Sequence, residues 1–245
     1  MQMPFSFWKF SPLSLPNLAW WLDAGRGITI ATGVSQWNDL SGNNRNATQP
    51  TAASQPALTT NAIGGFPAVT FNGTSSYMLS GMTVATFFAG NLTDTTIIAV
   101  MNSTVVVGGG CMLGSNGTTN TDWIGIYAPY TNSGTTLWDA GPFSTCRLTE
   151  TVTWGSSSVA VFTRSGTTST MYKNNTSVGS GTVSGNYQSG TAVPCLGCQD
   201  GSIGDSDTFW NGQIAEIVAY SRALTANEIS IISRYWGAKY NIAQA

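Results

Sequence analysis

The chain has 245 residues, 42% of them hydrophobic, with 9 basic and 11 acidic residues, a net charge of −2 and no histidine. The missing histidine excludes Ser–His–Asp and Cys–His catalysis and removes the commonest transition-metal ligand. Scattered lysines and arginines form no basic stripe for nucleic acid, and no apolar run approaches the ~20 residues of a membrane span.

Length favours one large all-β domain over two small ones. A charged fraction of 8% is far below the roughly one-quarter usual for soluble domains. Ser, Thr, Asn and Gly must therefore solvate the surface, or partners cover it, which suits an extracellular or particle-bound protein.

The chain opens on MQMPFSFWKFSPLSLPNLAWW. Lys9 lies inside the apolar stretch and prolines at 4, 12 and 16 interrupt it, so it does not read as a signal peptide. The expectation is synthesis in a cytoplasm, with Cys111, Cys146, Cys195 and Cys198 made reduced. Residues 1–18 read as an extended arm ahead of a domain over 19–245. Phe5, Phe7, Trp8 and Phe10 are exposed unless they dock, either on their own domain or on a neighbouring subunit.

Strand-like runs then recur between Gly/Asn/Ser clusters: Ala68–Phe71, Thr95–Met101, Trp123–Tyr127, Thr151–Trp154, Ser158–Arg164, Thr168–Lys173 and Gln213–Tyr220. Ser165-Gly166 signals a tight turn between two of them. In the middle, Trp123, Tyr130 and Trp138 stand near Asn132 and Asp139. Sugars present an apolar CH face and a rim of hydroxyls, so flat rings beside amide or carboxylate side chains suit a glycan reader. Trp123 and Tyr127 share strand parity and belong in a core, whereas Tyr130 and Trp138, near Pro and Gly, are expected at the surface. The alternative is that these rings fill a sandwich core.

The four cysteines read as structural or free thiols; the alternatives for Cys195-x-x-Cys198 are half a zinc site, for which Cys111 and Cys146 lack the second close spacing, and a redox pair. Asp200, Asp205 and Asp207, in a Gly-containing loop, are the candidate calcium ligands. The alternative there is a solvated turn whose aspartates bond their own backbone. At the end of the chain, Ile214–Tyr220 is apolar at both parities and reads as a strand covered on both faces. Thr225 and Glu228 have capping-box spacing, Leu224 is placed to staple onto Ile229, and Ile229, Ile232 and Trp236 form one helical stripe.

Five segments together resemble the laminin-G-like, concanavalin-A-like jelly-roll domains, especially stand-alone versions in tailed-phage structural proteins and bacterial surface proteins. Pro16–Ala24 looks like the opening strand, and Trp37–Asn44, followed by Ala47-Thr48, like the first turn. Phe71–Met78 looks like the turn before the next core strand, Met171–Asn175 like a hairpin, and Phe209–Ile229 like the closing strand and capped helix. They are co-linear across nearly the whole chain; residues 102–147 match nothing in the pattern. The resemblance implies an all-β, two-sheet antiparallel jelly-roll sandwich with one short C-terminal helix. It also implies binding rather than catalysis, often of carbohydrate and sometimes through calcium.

The same fold hosts glucanases, whose paired carboxylates lie on one strand in a Glu-x-Asp-x-x-Glu pattern that is absent here. Glu216 is the only acid on its strand, Glu150 has no acidic neighbour in sequence, and Glu228 is occupied by the helix cap. Asp23 raises the same ligand question as the loop aspartates, and Asp39 reads as a turn former that accepts backbone N–H bonds. The expectation is a non-enzymatic phage virion protein, a head decoration, head fibre or tail component, that attaches or adheres to surface glycans. Its partners are other virion proteins, further copies of itself and host-surface glycans. The alternatives are a bacterial-surface adhesin and a glycoside hydrolase.

Overall fold

Several strands alternate so regularly between two apolar sets that both faces of their sheet must be covered. Ile97, Ala99 and Met101 belong to one cluster, and Ile98 and Val100 to the other. Ala160 and Phe162 divide from Val159 and Val161 in the same way. The computed structural model describes residues 10–91, 93–103, 109–116, 124–131, 133–185, 192–199 and 209–245.

In chain order the strands are β1 (Leu18–Asp23), β2 (Ile28–Ile30), β3 (Val34–Trp37), β4 (Ala47–Thr48), β5 (Ala57–Ile63), β6 (Phe66–Asn72) and β7 (Met78–Leu79). After a short helix α1 (Val84–Phe87) come β8 (Thr95–Ser103), β9 (Leu113–Asn116), β10 (Ile124–Tyr127) and β11 (Thr135–Asp139). A single turn α2 (Phe143–Cys146) leads to β12 (Arg147–Thr151), β13 (Ser158–Ser165), β14 (Thr168–Lys173) and β15 (Thr176–Thr182). The chain closes with β16 (Val193–Leu196), β17 (Asn211–Tyr220) and α3 (Ala226–Tyr240).

Among the described residues these strands make two sheets. One runs β15-β14-β13-β8-β17-β6-β5, with β1 also paired to β17, and the other β12-β11-β10-β9-β16-β7-β4-β3-β2. Every named pairing is antiparallel. The expected sandwich is present. The main core lies between the sheets, with Trp20 edge-on to Phe87 at 5.1 Å and Trp138 against Phe162 at 5.8 Å. A second core lies between the outer face of the first sheet and α3.

β17 is central to both cores, as its apolar sequence predicts, but its parity is not uniform. A register shift between Ile214 and Glu216 places Ile214 in the inter-sheet core with Ile217 and Ala219, while Ala215, Val218 and Tyr220 meet α3. Such a bulge puts one extra residue on a strand and re-aims the side chains beyond it.

The two expected hairpins form: Gly166 at φ 55° turns β13 into β14, and Asn174 and Asn175, at φ 50° and 68°, turn β14 into β15. The run expected as a strand over Thr151–Trp154 is a strand only to Thr151; Val152–Trp154 leave the sheet. From Phe10 onward the arm packs against its own domain. Phe10 packs on Tyr235 at 5.1 Å, and the Tyr220 hydroxyl donates to the Pro12 carbonyl at 3.0 Å. Phe10 is therefore engaged within its own chain, the first of the two alternatives; Phe5, Phe7 and Trp8 lie outside the described residues.

The α3 start is the capping box its sequence predicts. The Glu228 N–H donates to Thr225 Oγ1 at 3.3 Å and the Thr225 N–H donates to Glu228 Oε2 at 2.8 Å. Leu224 and Ile229 are both buried beneath it. The Arg222 guanidinium, bidentate on Glu228 at 2.9 and 2.6 Å, holds that carboxyl down to about 2. A depressed carboxyl stabilises the fold above its ordinary value of 4.5, and that contribution is lost as pH falls toward 2. Thr225→Ala is expected to cost about 1 kcal/mol in a urea melt at neutral pH.

Candidate functional site

At one end of the sandwich, segments from both sheets meet around a small groove of about 130 Å³. Ser103 comes from the end of β8; Pro129, Ser133 and Gly134 come from the β10–β11 connection. Thr153, Trp154 and Gly155 come from the link between β12 and β13. Gly134 is required at its position: φ is 86°, and a Cβ there would sit 2.9 Å from the Val152 carbonyl oxygen. The Trp154 indole N–H donates to Thr136 Oγ1 at 2.8 Å, which fixes the ring with 7% exposure.

On the same turn, Tyr130 is 40% exposed and stands edge-on to the buried Tyr127 at 5.5 Å. Its backbone is held by a bond to the Thr135 carbonyl at 2.6 Å, and the Thr131 and Ser133 hydroxyls pair at 2.8 Å beside it. The groove is therefore lined by an aromatic residue and by serine and threonine, with an exposed ring on a neighbouring position. No carboxylate lines it among the described residues.

Tyr130 is thus at the surface, as its place beside Pro129 suggests. Trp138 is not. It is fully buried between the sheets, because its position in β11 places it on the inner face against Phe162. Asp139, on the opposite face, is also fully buried, and it accepts from Arg147 Nε and Nη2 at 2.7 Å each. Both are corrections to the glycan-contact reading: Trp138 is core, and Asp139 is an ion-pair partner that anchors β12 to β11. Trp123 and Asn132 lie outside the described residues. Trp154 belongs to the groove although its sequence reads as a strand end; the Gly155-Ser-Ser-Ser that follows it is the signal for a rim position.

Among the described residues the carboxylates of Asp23 and Glu216 come together. Asp23 and Glu216 are direct partners across β1 and β17, but Lys239 lies between them, with Nζ 3.2 Å from Asp23 Oδ2 and 2.8 Å from Glu216 Oε2. Glu216 also accepts from Trp21 Nε1 at 2.8 Å and from the Tyr240 hydroxyl at 2.9 Å, and Asp23 from Arg26. Burial raises the Glu216 carboxyl against the opposing pull of Lys239. The cluster lies beneath α3 with every acid oxygen named here engaged, an arrangement that holds the helix to the sheet.

Asp39 does what its turn predicts. It accepts N–H bonds from Trp21 and Ser41 on Oδ1 and from Arg45 on Oδ2. Among the described residues no cluster of three His, Cys, Asp or Glu is placed to hold a metal ion. Asp200, Asp205 and Asp207 lie outside those residues. Cys195 and Cys198 are joined in a disulfide, while Cys111 and Cys146 are buried free thiols. This corrects the reading of four reduced thiols. Gly197 at φ 80° folds the chain back after β16, so the two Cα atoms are 5.9 Å apart, and the pair is not available as half of a zinc site. Burial pushes the Cys111 thiol well up, consistent with an inert core position.

A family model described as concanavalin A-like lectin/glucanases superfamily matches residues 64–230. No curated protein matches the sequence. Among solved structures, domain 4 of AbnA, a GH43 extracellular arabinanase from Geobacillus stearothermophilus, in complex with arabinotriose, is similar with a TM-score of 0.63 at 15% identity. That match covers 89% of this chain and 98% of the other. The binding domain of Paraclostridial Mosquitocidal Protein 1 is similar with a TM-score of 0.62 at 15% identity, covering 90% and 52%. Trypanosoma rangeli sialidase in complex with sialic acid is similar with a TM-score of 0.62 at 16% identity, covering 94% and 34%. The chain spans about a third of the length of the sialidase chains it matches. At these identities the likeness is one of fold.

Proposed function

The chain belongs to the concanavalin A-like lectin/glucanases superfamily, and from that premise we propose that it is a non-enzymatic glycan-binding protein, an adhesion or decoration component carried on a phage particle. The observation that carries the binding reading is the groove beside Tyr130. Trp154, Ser133 and Thr153 line it, and a 40% exposed phenol stands on the same turn. Sugars are held by that combination, an apolar face on a ring and polar contacts at its edge.

Two observations favour binding over hydrolysis. Among the described residues the groove carries no carboxylate, and the facing acids Asp23 and Glu216 are bridged by Lys239 beneath a helix. Retaining glycosidases need two carboxylates about 5–5.5 Å apart, flanking an accessible bond. The particle-bound setting is supported by the sparse charge and by the resemblance of five co-linear segments to phage versions of the fold.

Tyr130→Ala is expected to weaken glycan binding about tenfold, the loss of one exposed ring contact, with an unchanged urea midpoint. Glycan-array binding and titration calorimetry read the effect. Retention of full affinity in the variant removes the groove reading, and turnover of a bound oligosaccharide by the wild-type protein removes the non-enzymatic one. Recovery of the chain with assembled virions at fixed copy number tests the setting.

A further inference from the structure

We propose that the groove beside Tyr130 selects glycans bearing a carboxylate, with the Lys173 ammonium as the counter-charge at its rim; this rests on the glycan-binding reading above. Lys173 ends β14 at the parity of Met171, which is buried in the inter-sheet core. Its Nζ stands 5.6 Å from the Trp154 ring centre and donates to the Thr153 carbonyl. Thr153 and Trp154 both line the groove. The ammonium is thus fixed beside the cavity by a ring and a carbonyl.

The chain has only 9 basic residues. Arg26, Arg147, Arg222 and Lys239 each pair with a carboxylate. Arg45, Arg164 and Arg234 bond main-chain oxygens, with Asp39 near Arg45, and Lys9 lies outside the described residues. Lys173 forms no ion pair among the described residues, and burial alone pulls its ammonium below the usual lysine range.

A partly desolvated cation without an adjacent acid gains from any anion brought within reach. An ammonium has three donors, and the Thr153 carbonyl takes one of them. Ser133 and Thr153 both line the groove, so a sugar ring seated there would find polar residues for its hydroxyls and a positive charge nearby. A carboxylated sugar fits that pattern. A neutral one leaves the ammonium uncompensated.

The test compares tetragalacturonate with its fully methyl-esterified form on the wild-type protein by titration calorimetry at low and at physiological salt. The free acid is expected to bind about tenfold more tightly at low salt, the strength of one charge-assisted contact, with the difference shrinking as salt rises. Lys173→Met is expected to abolish the preference and Lys173→Arg to retain it. Equal binding of acid and ester by the wild-type protein overturns the charge selection while leaving the groove reading standing. No binding of either form overturns the selection outright. The wild-type comparison decides the matter even where a Lys173 variant folds poorly.

Discussion

Lys239→Met is expected to destabilise the fold by about 3 kcal/mol, because it leaves two buried carboxylates, Asp23 and Glu216, without the cation between them. The side chains of the acids are 6% and 1% exposed and that of Lys239 is 20% exposed, so solvent screens the trio far less than a surface pair. The two carboxylates raise the Lys239 ammonium above its ordinary 10.5 despite the opposing effect of burial. A raised cation contributes fully below its ordinary value and loses that contribution as pH rises through the higher folded value. Urea midpoints should therefore fall in alkali for the wild-type protein and stay flatter in Lys239→Met. The double variant Glu216→Gln, Lys239→Met should recover part of the loss, since only Asp23 then lacks the cation. A loss of less than about 0.5 kcal/mol, the scale of an exposed pair, would show that the trio does not tie α3 to the sheet.

That cluster marks where the sequence stops being legible. The capping box at Thr225 and Glu228, the α3 stripe and the double-sided strand ending at Tyr220 are local patterns, and the structure holds each of them. So are the turn at Asp39 and the paired asparagines at 174 and 175. What the sequence does not carry is the meeting of residues far apart in the chain. Glu216 is isolated on its own strand, and Asp23 and Lys239, which are 193 and 23 positions away in sequence, reach it only through sheet pairing and helix docking. The bulge at β17 is equally silent, since an apolar run that fits both faces gives no sign of which residue is extra. Trp154 and Lys173 are similar: each is a strand-end residue in sequence, and only the stacking of the two sheets brings the ammonium over the ring.

The aromatic middle shows a different failure, and it leads to the second large effect. Around β11 the sequence offers Trp138-Asp139 beside Gly141 and Pro142, a composition shared by surface loops and by strand ends. Strand parity then sends Trp138 inward and Asp139 to the opposite face, where both are fully buried. Arg147→Ala is expected to cost about 3 kcal/mol, because it strips the forked donor from a carboxylate that water cannot reach. Arg147→Lys should recover only part of that, since a lysine supplies the charge without the two parallel N–H bonds at 2.7 Å. The guanidinium is held above its ordinary value chiefly by its bonds to Asp139, so no accessible pH should release the pair from the cation side. The decisive comparison is between stability and binding. Arg147→Ala and Asp139→Asn should both lower urea midpoints while leaving glycan affinity per folded molecule unchanged at low temperature. An Asp139→Asn variant with the wild-type midpoint and no glycan binding would return Asp139 to the role of a direct ligand, and would move the site from the groove rim to the outer face of β11.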